Sequence, residues 1–315
     1  MKHVNILFLG ASKRVSLVER FLDAAKALGV TLNLLSCEIS QEFYPISRYA
    51  AILAGPSFMS AKFRSWLHDA VREHKINVVI PNMDSATVAL SKASARTSNF
   101  SNCWYVVSSK ELCRDMEDKV LADRFFRQHG IPVAGNTPGR FPKIVKPRRG
   151  FGTKGVHIVE SQPELDAAMR AGCAAEYIVQ DFIEGRETTV DIYVSPQKGL
   201  IGYVLRDRHE VSDGEVMVCS TRQPERREKR LIDSIAALDG WCGCITLQYM
   251  RDLKDRLFVL EINPRFGGGA TCAIEAGLDM PRYILSEYLQ IDFSPPRRIK
   301  TLKMTRARRD FFCEL

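Results

Sequence analysis

Between Lys143 and Glu160 the chain reads KIVKPRRGFGTKGVHIVE, where Gly150, Gly152 and Gly155 spell G-x-G-x-x-G between two short β-branched runs. A dinucleotide-binding fold needs a helix to open from such a loop, so that pyrophosphate rests on the helix N-terminus. KIVK before the glycines and VHIV after them instead describe two strands joined by a turn. A Walker A loop would require Gly-Lys-Ser/Thr at fixed spacing and a following helix, and neither occurs. Protein kinases do place a glycine loop between strands, but they also carry H-R-D and D-F-G, which are missing here. What remains is a basic glycine hairpin whose backbone N–H groups can cover phosphates, with Lys146, Arg148, Arg149 and Lys154 around it. A solvated hairpin carrying surface charge is the competing reading.

The first hundred residues alternate strand and helix. VNILFLG reads as a buried strand, Val15, Val18, Phe21, Leu22, Ala25 and Leu28 mark a helix face ended by Gly29, and TLNLLSCE is a second strand. INVVI enters PNMD before another short helix. This pattern gives an open parallel sheet with ligand-accessible loops at the carboxyl ends of its strands, where Gly10 and Asp84 lie; Asp84 serves equally well as a helix cap or a substrate contact. From Ser108 to His129 the chain is helical, opened by a capping box of Ser108 and Glu111, with a second helix start at Asp118-Lys119. After the glycine hairpin strands dominate: EYIVQDFIE, RETTVDIYV, GLIGYVLRD and EVMVCS, then CITLQYM and RLFVLEINPR. The expected class is α/β plus α+β, with an N-terminal Rossmann-like parallel-sheet domain over 1–107 and a two-lobed domain over 108–315, divided near residue 180.

At 315 residues the chain exceeds what one core usually holds. No apolar run reaches membrane-spanning length and the apolar start is too short for a secretory signal, so a cytoplasmic protein with no membrane partner is expected. The nine cysteines are scattered and odd in number, which favours reduced core thiols. A net charge of +8 raises the question of nucleic acid. The basic run RQPERREKR, however, interleaves Glu225 and Glu228 and continues into a helical stripe of Leu231, Ile232, Ile235 and Leu238. PPRRIKTLKMTRARRD lacks aromatic interleaving until its end, so nucleic acid is not the expected partner.

The richest stretch is CGCITLQYMRDLKDRLFVLEINPRFGGG. Strict alternation puts Glu261 and Asn263 on one strand face and Phe258, Leu260 and Ile262 on the other, in apolar packing. If RDLKD turns the chain with Arg251 opposite Arg256, Gln248 falls diagonally near Glu261. Three oxygen donors side by side suit a hard cation such as Mg²⁺, with Mn²⁺ as the alternative; an ordinary strand carboxylate and an Asn-Pro turn are the simpler reading. An acid within FVLEI is costly to bury unpartnered, which favours metal.

Here the chain resembles the ATP-grasp superfamily, in particular the branch of the carbamoyl-phosphate synthase large chain. The likeness runs through ILFLGASKRV, IPNMD, DK, IVKPRRGFGTKGV, VQDFIEGRETTVDI, QYM, LEINPRFGGG and KMTRARRDFF in family order. It implies a two-lobed ATP-grasp fold behind the Rossmann-like domain. By resemblance, Lys119 and Lys146 face the phosphates and purine of ATP, and the hairpin from Arg149 through Gly150, Gly152 and Thr153 to Gly155 covers the β- and γ-phosphates. Gln180, Asp181, Phe182 and Ile183 form the adenine hinge, and Glu187 meets the ribose. Gln248, Glu261 and Asn263 are metal ligands, Gln248 standing where an acid is common, and Arg265 is the cation that steadies the transferring phosphoryl group. Arg206, Arg208, His209 and Glu215 lie where an acid substrate could be fixed, Arg208 being the catalytic candidate and Arg206 equally well a surface charge.

The implied activity is an ADP-forming carboxylate-amine ligase using ATP and Mg²⁺ on a small-molecule carboxylate and an amine, through an acyl phosphate. The alternatives are phosphorylation of a carboxylate or carbamate without amine ligation, and a non-catalytic nucleotide-binding regulatory protein. A homo-oligomer is compatible with all three.

Overall fold

The computed structural model describes residues 2–94, 103–150, 155–171, 176–212 and 214–314. Gly152, Thr153 and Lys154 therefore lie outside the described residues. The N-terminal unit runs β1 (Lys2–Leu9), α1 (Val15–Leu28), β2 (Val30–Glu38), β3 (Ala51–Ala54), α2 (Phe63–Glu73), β4 (Val78–Pro81), α3 (Asp84–Ser94) and β5 (Trp104–Tyr105). Its five strands are parallel in the order β3-β2-β1-β4-β5. The chain winds outward from β1 on one side, then returns to β4 on the other. The crevice between the carboxyl ends of β1 and β4 is thus a topological switch point, where open α/β sheets bind ligands. Val15, Val18, Phe21 and Ala25 of α1 are buried, and Gly29 ends that helix in the left-handed region at φ 65°.

Next come α4 (Lys110–Glu117) and α5 (Lys119–Gln128), with Asp118 capping α5 by accepting from Val120 N and Leu121 N. The expected start at Asp118-Lys119 is present. The cap of α4 is Ser109 rather than Ser108, because the Ser108 hydroxyl is taken by the Cys242 N–H. β6 (Lys143–Pro147), β7 (His157–Val159), α6 (Gln162–Ala171) and β8 (Tyr177–Asp181) follow, the strands forming an antiparallel sheet in the order β7-β6-β8. The glycine loop therefore does join two paired strands.

β9 (Gly185–Ser195), β10 (Gly199–Ser212), β11 (Glu215–Arg222), α7 (Arg226–Ala236), β12 (Gly243–Asp252), β13 (Leu257–Asn263), α8 (Ala270–Glu275), α9 (Met280–Leu289) and β14 (Lys303–Thr305) complete the chain. The six strands are antiparallel in the order β13-β12-β9-β10-β11-β14. One face of this sheet is apolar: Val190, Ile192, Leu247 and Ile262 pack with Leu231, Ile232 and Ile235 of α7. By alternation the opposite face carries Glu187, Thr189, Asp191, Thr246 and Gln248, which makes it a polar floor.

In the basic run that leads into α7, Arg222 and Arg227 are held in ion pairs. Glu228, fully buried, accepts from Arg222 at 2.6 and 2.7 Å and from Tyr249, and pairs with Arg251 at 2.8 Å. Burial alone would raise the Glu228 pKa, but Arg222, the Glu225 N–H, Tyr249 and Arg251 outweigh it and hold the group at about 2. At ~1.4 kcal/mol per unit, a drop from the ordinary carboxylate range to that value is worth roughly 3 kcal/mol. Because the folded-state value is depressed, this stability is complete above the unfolded value of about 4.5 and is lost as pH falls toward 2. Urea unfolding should therefore show a steep loss of stability across that window, and Glu228→Gln should be less stable at pH 7 with a shallower acid slope. An unchanged midpoint at pH 7 would mean the cluster is energetically neutral. Among the described residues no helix is long and apolar enough to cross a membrane. All eight described cysteines are free thiols.

Candidate active site

Two cavities meet over the polar floor. The first, about 270 Å³, lies between the three-stranded and six-stranded sheets, walled by Ala134, Ile144, Val156, Phe182, Ile183, Met250 and Leu260. The second, about 250 Å³, lies between the six-stranded sheet and the switch-point crevice, and is lined by Arg14, Asp84, Arg206, Arg208, Asn263, Arg265 and the glycines 267–269. Gly150, Arg208, Gly214, Gln248 and Glu261 line both. An apolar slot and an arginine-rich chamber thus open onto one shared boundary.

The oxygen donors stand at that boundary. A bulge between Gln248 and Tyr249 on one side and Glu261 and Val259 on the other sets Arg251 opposite Leu257, not Arg256, and places Gln248 directly opposite Glu261. The expected diagonal placement is corrected accordingly, and the same bulge overturns strict alternation. Leu260, the extra residue, faces the apolar slot, while Leu257, Val259 and Ile262 enter the core. Thr246 lies opposite Asn263, extending the polar row. Asn263 Nδ2 donates to Glu261 Oε1 at 2.9 Å. The donor set is all oxygen, and among the described residues no cluster of His, Cys, Asp and Glu competes with it. Such donors fit Mg²⁺ or Mn²⁺ rather than a softer metal.

Cations surround the boundary. Lys146 is buried on β6, and desolvation lowers its pKa; Glu261 partly offsets this and Lys119 adds to it. A buried ammonium in that state is stabilised by an incoming anion. Lys119 Nζ donates to Gly150 O at 3.1 Å, tying the start of α5 to the glycine loop. Arg265 makes a bidentate pair with Asp84, at 2.5 and 2.9 Å, across the two halves of the chain. Burial alone would lower the Arg265 pKa, but Asp84 raises it on balance. Asp84 therefore begins α3 and also orients the arginine beside Glu261.

Lys119, Lys146, Gln180, Asp181, Phe182, Ile183 and Glu187 all line the apolar slot. Two carboxylates there are already engaged. Asp181 accepts from Lys143 Nζ, Thr137 N and Thr137 Oγ1, so its side chain anchors the end of β8, and Glu187 is held by Arg208. Arg149 is largely exposed and pairs with Asp118 at 3.5 Å, and it lines neither cavity; nor does Gly155, which takes φ 72° after the loop. Arg206 is not a surface charge: it is 2% exposed and donates to Asp191 Oδ2 at 2.5 Å. A Cβ on Gly269 would stand 2.2 Å from the Arg206 guanidinium and one on Gly267 2.8 Å from Thr246 Oγ1, which explains the glycines at those two positions. Sequence reasoning missed Arg14, Thr246, Met250 and the cleft role of Leu260, whereas Thr189 lies on the polar cleft wall that alternation along its strand describes. Position after a strand at the switch point could have flagged Arg14; the others depend on register.

The ATP-grasp domain family matches residues 116–269. A D-alanine–D-alanine ligase of a Marinomonas species is 28% identical over 191 residues, which is 50% of this chain and 58% of the relative. The chain thus spans less than two thirds of that relative's length. N5-carboxyaminoimidazole synthetase from Staphylococcus aureus, solved with ADP, superposes with a TM-score of 0.77 at 15% identity, over 98% of this chain and 83% of that one. The L-amino acid ligase from Bacillus licheniformis gives 0.72 at 15%, over 96% and 79%. The shared fold comprises the parallel N-terminal sheet and the antiparallel sheets that enclose the cleft. Residues 116–269 are thus the part of the chain that is similar to the ATP-grasp domain family.

Proposed function

We propose that this protein is an ATP-dependent, ADP-forming ligase that activates a carboxylate as an acyl phosphate and joins it to an amine. Residues 108–315 act as the ATP-binding unit and residues 1–107 complete the acceptor side. The observation that carries the reading is the pair of cavities sharing the Gln248–Glu261 boundary, one apolar enough for a purine and the other cationic enough for an acid. The names of the relatives, ligases among them and one solved with ADP, agree with it.

In this reading adenine lies against Ile144, Phe182, Ile183, Met250 and Leu260, with Glu187 toward the ribose. Lys119, Lys146 and the glycine loop at Gly150 hold the phosphates. Gln248, Glu261 and Asn263 would hold a divalent cation, which supplies charge neutralisation at the terminal phosphates when bound. A carboxylate oxygen of the acid attacks the γ-phosphorus and the β–γ bridging bond breaks, leaving ADP. Arg265, fixed by Asp84, and Arg208, fixed by Glu187, meet the charge on the moving phosphoryl group. The amine nitrogen then attacks the acyl carbon, phosphate departs with the electron pair of the C–O bond, and the nitrogen loses a proton. Positioning and charge carry both steps, so no side-chain nucleophile is required.

Hydroxylamine trapping tests the proposal. With ATP, Mg²⁺ and the correct acid, hydroxamate should accumulate with ADP and phosphate as co-products, resolved by ion-exchange chromatography. AMP and pyrophosphate as the main products would overturn the acyl-phosphate route.

A further inference from the structure

The charged side chains lining the polar cavity are nearly all matched. Arg206 pairs with Asp191, Arg208 with Glu187 and Arg265 with Asp84; Glu215 pairs with Arg306, and Glu261 accepts from Asn263. Arg14 differs. It lies on the loop after β1 and donates from Nη1 to the Gly267 carbonyl at 3.2 Å, and no carboxylate among the described residues forms an ion pair with it. Burial, with Arg265 and Arg306 close by, lowers its pKa to about 10, Glu215 and Asp84 only partly opposing. A half-buried guanidinium among other arginines is unfavourable until an anion joins it.

Which anion it takes follows from position. Arg14 lines the polar cavity and not the apolar slot, and it comes from the switch-point crevice. The terminal phosphates have Lys119, Lys146 and the shared boundary, and the reacting carboxylate must lie by Glu261 and Arg265, where the phosphoryl group passes. Arg14 is left for another part of the acid. A substrate ammonium would instead need an unmatched carboxylate, yet Asp84 and Glu215 are in ion pairs and Glu261 belongs to the metal row.

Resting on the ligase reading above, we infer that Arg14 is the specificity residue for a second anionic group on the acid substrate. The acid activated here is a dianion, either a dicarboxylate or a phosphorylated carboxylic acid, rather than a monocarboxylic acid or an α-amino acid with an uncharged side chain. Arg14 presents a planar fork suited to carboxylate or phosphate, and its backbone tie to Gly267 fixes the fork over the glycine run.

Calorimetry on the full chain loaded with ADP and Mg²⁺ tests this, with succinate, glutarate and 3-phosphoglycerate titrated against propionate, butyrate and alanine. At least one dianion should bind about 10- to 100-fold more tightly than the monoanions and alanine, as expected for a charge-assisted contact. The dicarboxylate and phosphate arms separate the two sources of the anion. Arg14→Gln should erase the preference while ADP affinity stays within about twofold, and Arg14→Lys should restore part of it. Unchanged ADP affinity shows that the variants fold, which a structural role for Arg14 would not predict alongside a lost preference. Equal binding of mono- and dianions, a preference that survives Arg14→Gln, or no binding of any acid by protein that still binds ADP would overturn the inference. Failure to bind ADP with Mg²⁺ would instead overturn the ligase reading itself.

Discussion

Glu261→Gln is expected to lower turnover by roughly 10² to 10³, the usual loss when a charge-stabilising group is removed from a reacting centre. Glu261 is the one formal charge in the row Gln248, Glu261, Asn263, and it lines both cavities. Its amide analogue keeps the shape and can still meet Asn263, so the fold should survive. What is lost is the negative charge that would hold a divalent cation and that offsets Lys146. Two measurements separate these effects. The Mg²⁺ concentration at half-maximal rate should rise, whereas the melting temperature without ligands should hold. Asn263→Ala should be milder, because water can replace a neutral ligand. A Glu261→Gln variant with the parent rate would remove the metal assignment and the phosphoryl-transfer geometry built on it.

Lys146→Met should weaken ATP binding about 10- to 100-fold and lower turnover with it, from the loss of a charge-assisted contact to phosphate. The sign of its effect on stability should be the opposite. The Lys146 ammonium is buried and held below its ordinary pKa by desolvation, so without nucleotide the folded protein carries an unfavourable charge. Methionine fills nearly the same volume without that charge. The variant should therefore melt at or above the parent temperature when both are free, and below it when both are saturated with ATP and Mg²⁺. Thermal shift with and without nucleotide reads both. A ligand-free variant that melts well below the parent would show that Lys146 is chiefly structural.

Local patterns made much of this molecule legible. The 3.6-residue stripe of α1, the Asp118-Lys119 helix start and the β-branched flanks of Gly150 to Gly155 are set by neighbours in sequence, and each was found where it was read. The lining residues Lys119, Lys146, Gln248 and Glu261 were legible because motifs repeat the same chemistry at fixed spacing. Capping was less so. Ser108 and Ser109 are equivalent in sequence, and only the contact of Ser108 with Cys242, far along the chain, decides between them.

The sequence by itself determined the succession of strands and helices, the oxygen donors on β12 and β13, and the basic glycine hairpin, since each depends on side-chain chemistry and short-range periodicity. Tertiary structure alone decided the rest. A bulge of one residue turned Leu260 into the cleft and moved Gln248 opposite Glu261, because register answers to cross-strand packing rather than to alternation within a strand. Distance along the chain hid the pairing of Asp84 with Arg265, 181 residues away, and the placing of Arg14 over Gly267, 253 residues away. Charges so far apart in sequence meet only when the parallel sheet and the antiparallel sheet pack together, and among the described residues that packing leaves Arg14 in the polar cavity without a carboxylate in an ion pair.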